Sequence, residues 1–132
     1  MAERSLSPCP QERICVCSLA IDALHKVQPL SFKCDTPTAW RVVLHAVTGL
    51  PRTRMVDSAD GYLRAECISA VLRRPADLEL LIDRRQSVIQ VRSASRSGWW
   101  DLGTNRRRVE ALRKSFDQQL ARLDQPPGGT LG

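Results

Sequence analysis

Aromatic residues are scarce, with two Phe, three Trp and one Tyr in 132 residues, so any core must be built from aliphatic side chains. Lysine is rarer still among the basic residues: Lys26, Lys33 and Lys114 are the only three of twenty. No apolar run approaches the roughly 18 residues of a membrane-crossing helix, which excludes a spanning segment within this sequence. There is no phosphate-cradling glycine loop, no His-Glu metal helix and no Gly-x-Ser-x-Gly nucleophile turn. Those absences leave an enzyme without recognisable machinery and make a small hydrolase the least favoured reading. No internal repeat is visible, and the length suits one domain rather than two.

Five cysteines, Cys9, Cys15, Cys17, Cys34 and Cys67, make an odd number, so at least one thiol stays free. Cys9 and Cys15 form a disulfide in an oxidising compartment or remain inert thiols; the residues leave both open. A zinc site from Cys9, Cys15, Cys17 and His25 lacks the two separated knuckles of structural zinc. Neither a metal nor a cofactor is therefore assigned. Met1 to Leu6 shows no basic stretch leading into an apolar one, which makes a cytoplasmic location the expectation.

Along the chain, residues 1–28 follow neither periodicity and read as an irregular arm, with Ile21, Leu24 and Val27 offering a short apolar face. Residues 29–124 read as an α+β domain and 125–132 as a disordered tail. Leu30 to Cys34 alternates as a strand does. Thr36 as cap and Pro37 at the first helical position begin a helix whose buried stripe is Trp40, Val43, Leu44 and Val47, closed by Gly49. Four strands follow over 53–57, 62–69, 78–83 and 87–95, then a helix from about Asn105 to Asp124 with Val109, Leu112, Phe116, Leu120 and Leu123 on one side. The order strand, helix, four strands, helix gives a curved antiparallel sheet of about five strands with both helices on one face. In the expected register Glu79 lies opposite Arg92 and Glu66 lies beside Glu79, a row of two carboxylates with one cation.

The surplus charge of +6 is concentrated. Between Arg92 and Lys114 there are seven cations against Asp101 and Glu110, a density suited to a polyanionic partner or to a solvated basic face. Arg106, Arg107 and Arg108 fall in the first turn of the last helix, where the exposed N–H groups and the dipole favour acids. Such placement requires compensation, from Glu66, Asp77, Glu79 or Asp101 or from a bound anion. Ser93, Ser95, Arg96 and Asn105 complete this polar corner, with Gly98 and Gly103 permitting the tight loop and Asn105 or Thr104 capping.

The string VRSASRSGWWDLGTNRRRVEALR, residues 91–113, resembles the signature of domain of unknown function family 1499, V-R-S-A-S-R-x-G-x-x-D-x-G-x-N-R-x-R-V-E-x-L-R. Tyr62 to Glu66, and Cys9-Pro10 with Cys15-Val16, are similar to further family segments. Arg13, Ile14 and Cys17 depart from the early C-P-x-x-P-N-C-V-S-S pattern, and Ala76 replaces an aspartate. The resemblance implies a bacterial protein without an established activity; many members resemble exported or lipid-anchored proteins, where the paired early cysteines could form a bond, and an exported or envelope-associated location is the expectation here if the start is truncated.

The functional expectation is a noncatalytic domain that binds a small polar or anionic ligand or a protein partner. Its candidate site is lined by Arg92, Ser93, Ser95, Arg96, Asp101, Asn105, Arg106 and Arg108, with Glu66 and Glu79 alongside. The alternative is nucleic-acid or anionic-surface binding by Arg107, Arg113, Lys114 and Arg122 with Trp99 or Trp100 stacking. No catalytic residue is assigned.

Overall fold

Residues 5–124 are described by the computed structural model, and the expected disordered tail at 125–132 lies outside them. The chain order is β1 (Cys15–Cys17), β2 (Leu30–Ser31), α1 (Thr36–Thr48), β3 (Thr53–Ala59), β4 (Tyr62–Ile68), β5 (Pro75–Asp83), β6 (Val88–Ser95) and α2 (Thr104–Leu123). The strands form one antiparallel sheet in the order β1-β6-β5-β4-β3, with β2 also on β6. It is the expected α+β arrangement, with six strands among the described residues rather than about five.

The sixth strand comes from the segment read as an irregular arm. Cys15 to Cys17 pairs with Ala94 to Arg92 and is fully buried. Val16 joins the main core while Cys17 packs with Leu6 and Tyr62 on the opposite sheet face. Three residues are too short to display a period, which is why the pattern was not legible. The apolar face expected of Ile21, Leu24 and Val27 does not form: Val27 is buried, but Ile21 is 100% exposed and Leu24 about half. β2 stops at Ser31, short of Cys34, because its partner β6 begins at Val88, opposite Ser31.

Helix α1 is capped by Asp35 rather than Thr36; the Asp35 carboxylate accepts from Thr38 N at 3.0 Å, and Pro37 stands in the first turn, where no intrahelical N–H bond is lost. Its deepest residues are Ala39, Val42, Val43, Ala46 and Val47, so Trp40 and Leu44 sit at the border of the stripe rather than its centre. In α2 the buried residues are Asn105, Val109, Leu112 and Phe116, while Leu123 is exposed. Both helices cover one face, closing a single aliphatic core with Leu63, Leu78, Leu80, Ile89 and Val91. The β3–β4 turn is a two-residue hairpin at Asp60 and Gly61, both at positive φ. A Cβ on Gly61 would collide with the Ile82 side chain, so this turn demands glycine twice over.

The sheet has a second, polar face. Strand pairing sets Glu79 opposite Arg92, as expected, but Glu66 opposite Asp77 and Arg64 opposite Glu79. The row Glu66, Glu79, Arg92 is thus corrected by one pair: β4 runs two residues further along β5 than the sequence register allowed, because β5 begins at Pro75 rather than Leu78.

Candidate functional site

The sheet itself divides the expected site residues. Arg92, Glu66 and Glu79 lie on the outer face, whereas Ser93, Ser95 and Asn105 lie on the inner side beneath α2. Alternation along β6 makes this unavoidable, since neighbouring residues of a strand point to opposite faces.

On the outer face the charges compensate one another. Arg96 donates from Nε to Asp77 at 3.1 Å and from Nη2 to Glu66 at 2.5 Å and Asp77 at 2.9 Å. Arg64 and Arg54 reach Asp77 and Glu66 from the other side, each at 3.2 Å. The Arg96 guanidinium holds the Asp77 carboxyl below its usual range, and Arg96 with Arg54 does the same for Glu66. Glu79 accepts from the Tyr62 hydroxyl at 2.6 Å and from Arg92 at 3.4 Å. Arg92 also reaches the Pro8 carbonyl, tying the arm down, and its buried Nε has no partner among the described residues.

Beneath α2 the signature residues form a closed hydrogen-bonded corner. Asn105 is fully buried. Its amide donates to Asp101 Oδ2 at 2.7 Å and to Ile14 O and Ser95 Oγ, both at 3.0 Å. Its Oδ1 accepts from Ser93 Oγ and from Arg108 Nη1, both at 2.7 Å. Neither Asn105 nor Thr104 caps the helix. Gly103 occupies the cap position at φ 79°, and Asp101 supplies the acceptor instead, taking Gly103 N at 2.7 Å and Asn105 N at 3.2 Å. A buried carboxylate beside the first N–H groups of α2 is what the helix dipole favours. The corner therefore ties β1, β6, the 96–103 loop and α2 together.

The three consecutive arginines part company. Arg106 donates to Lys26 O at 2.8 Å and Leu24 O at 3.0 Å, holding the arm. Arg107 is exposed. Arg108 turns inward, where Nη1 is shared between Ser93 Oγ at 3.0 Å and Asn105 Oδ1. Among the described residues none of the three lies within 4 Å of a carboxylate. Of the acids expected to compensate them, Glu66, Asp77 and Glu79 are occupied on the other face of the sheet. Asp101 reaches Arg108 only through Asn105.

Arg108 is half-buried, and loss of hydration lowers its affinity for a proton, with Asp101 opposing and Arg52 adding to that effect. A guanidinium has five N–H donors. Two are spent on Ser93 and Asn105; those on Nε and Nη2 meet no acceptor among the described residues. Arg108 forms a wall of a cleft of about 260 Å³ bounded by the α1–β3 loop, the β4–β5 loop and the first turns of α2. Arg52 and Arg107 stand at its sides and no acidic residue among the described ones lines it. Arg52 is itself held at φ 50° with Nε on Ile68 O at 3.0 Å. Nothing in the sequence around Leu50-Pro51-Arg52 or Val71 marks them as a site, since they meet Arg108 only through the tertiary fold.

The residues expected to carry nucleic-acid or surface binding differ in their contacts. Arg113 is taken up by Gln28 O, Pro29 O and Glu110, whereas Arg107, Lys114 and Arg122 are exposed. Trp99 and Trp100 are exposed neighbours with ring centres 6.3 Å apart. No helix among the described residues is long and apolar enough to cross a membrane. A family model described as protein of unknown function (DUF1499) matches residues 5–116. No curated protein matches the chain.

Proposed function

The chain belongs to the family of proteins of unknown function DUF1499, and from that premise we propose that it is a noncatalytic binding protein whose cleft over Arg108 takes a small anion. The observation that carries this reading is a half-buried guanidinium with free Nε and Nη2 donors and no carboxylate within 4 Å among the described residues. A guanidinium partly withdrawn from water with no carboxylate in contact is costly, and a bound anion with two hydrogen bonds to it reduces that cost. Arg52 and Arg107 add positive potential at the sides, and the first turn of α2 contributes its own. Binding is favoured over catalysis because both histidines lie elsewhere: His25 is held by Asp22 and the Glu12 carbonyl, and His45 contacts Gln119. Ser93 Oγ is committed to Asn105.

Thermal unfolding at fixed ionic strength tests the reading, with chloride exchanged for phosphate, sulfate or acetate. A ligand that binds only the folded chain raises its midpoint with concentration. The expected result is a rise with at least one oxyanion beyond chloride, lost in Arg108→Gln. Equal midpoints in all four salts, or an undiminished rise in the variant, would overturn it.

A further inference from the structure

Resting on that reading, we infer that the anion is the head of a small organic acid with an apolar body, a carboxylate on Arg108 with a short hydrocarbon chain or ring along the cleft. The head group follows from which donors are free. Because Nη1 is bound to Ser93 and Asn105, Arg108 offers the side of its guanidinium formed by Nε and Nη2. Two parallel N–H bonds in one plane match the two oxygens of a carboxylate.

The body follows from the rest of the lining. Beyond the arginines, the walls carry Leu50, Pro51, Ile68, Ala70, Val71 and Ala111. Val71 is 83% exposed at the tip of the β4–β5 loop, an aliphatic side chain held beside a cationic hollow that none of the described residues covers. An inorganic oxyanion would leave that surface wet. A ligand with several carbons would cover it, and the volume, slightly below the ~300 Å³ at which typical ligand pockets begin, limits the body to a small one. Polar groups that fix the head, set in a mainly apolar lining, are the usual composition of such sites.

A chain-length series separates this inference from the reading beneath it. Formate, acetate, butyrate and hexanoate are titrated into the full chain by calorimetry, with hexanamide as the uncharged counterpart. The expected affinity rises about two- to fourfold per methylene as each is removed from water, hexanamide does not bind, and Arg108→Gln loses the whole series. Val71→Ser, a change at an exposed position that leaves the fold intact, reduces the gain per methylene. Val71→Glu, which sets a carboxylate at the rim, weakens every member and serves if Arg108→Gln fails to fold. A flat series in which formate binds as well as hexanoate, with dependence on Arg108, would overturn the organic body and leave the anion site standing. Binding of no member at all would overturn both. Hexanoate and hexanamide binding equally would show an apolar hollow without an anion site.

Discussion

The Asn105 side-chain amide meets the Asp101 carboxylate at 2.7 Å in a setting where both residues are buried, and through this pair the loop after β6 is fastened to the first turn of α2. The same side chain accepts from Ser93 and Arg108 and donates to the Ile14 carbonyl. Asn105→Ala therefore strands several buried polar groups at once. The expected loss is about 3 kcal/mol, since each unsatisfied buried group costs on the order of 1–3 kcal/mol. Urea unfolding measures it, and a loss within ~0.5 kcal/mol would show that the corner is dispensable.

Acid should weaken the fold through the outer face. Asp77 and Glu66 are held below their ordinary carboxylate range by Arg96 first, with Arg64 and Arg54 adding to the effect. A depressed folded-state value means that their contribution is present above the unfolded values near 4 and disappears as pH falls through the folded ones. Arg96→Gln removes the main cause. The stability gap between wild type and this variant is expected to be widest near neutrality and to close toward pH 2; a gap independent of pH would contradict the assignment.

His25 acts with the opposite sign. Its Nε2 faces the Glu12 carbonyl at 2.9 Å and its Nδ1 faces Asp22 at 2.6 Å, so both ring nitrogens meet acceptors and the imidazolium is favoured. The Glu12 carbonyl is the larger cause of the raised value, Asp22 adds to it, and burial and Arg106 oppose. The contribution of a raised group is complete below about pH 6.5 and is lost as pH climbs through the folded value. Proton NMR of the imidazole is expected to give a midpoint above 6.5, moving down in Asp22→Asn. A midpoint at or below 6.5 in the wild type would refute it.

Cys9 and Cys15 are joined by a disulfide across a separation of six residues, which fixes the arm at the edge of the sheet. Closing so short a loop removes unfolded-state entropy worth about 2 kcal/mol. Cys9→Ser is expected to lower stability by that amount under oxidising conditions and by little in reductant. Of the free thiols, Cys17 and Cys67 are buried and Cys34 is half-buried, with burial pushing its value up. Alkylation without denaturant should label Cys34 first and slowly; rapid labelling of Cys17 or Cys67 would contradict their placement.

What the sequence revealed and what it hid have separate physical causes. Periodicity over eight or more residues, as in α2 and β6, carries its own signal, and the alternation of Leu78, Leu80 and Ile82 against Ile89 and Val91 set the β5–β6 register, with Glu79 opposite Arg92. Short elements carry none, and the three residues of β1 show no period despite their complete burial. The β4–β5 pairing differs because the strand expected over 78–83 begins at Pro75; at a strand's first residue proline costs no ladder N–H. The arginines of the first turn of α2 were legible as a violation of the dipole preference, yet the violation does not say which of them is left without an acid. That depends on Asn105 holding Arg108 inward while Arg106 is drawn to the arm, a choice made by tertiary contacts alone.

The most direct reading of the site is the side-chain Nε–H resonance of Arg108 in a ¹H–¹⁵N spectrum, assigned by its absence from Arg108→Lys and followed as hexanoate is added. The resonance is expected to shift saturably and downfield as the carboxylate accepts that hydrogen, with backbone amides of Val71, Thr104 and Arg107 moving along the same binding curve. An Nε–H resonance that stays in place while hexanoate binds elsewhere, or does not bind, would contradict the account at its centre.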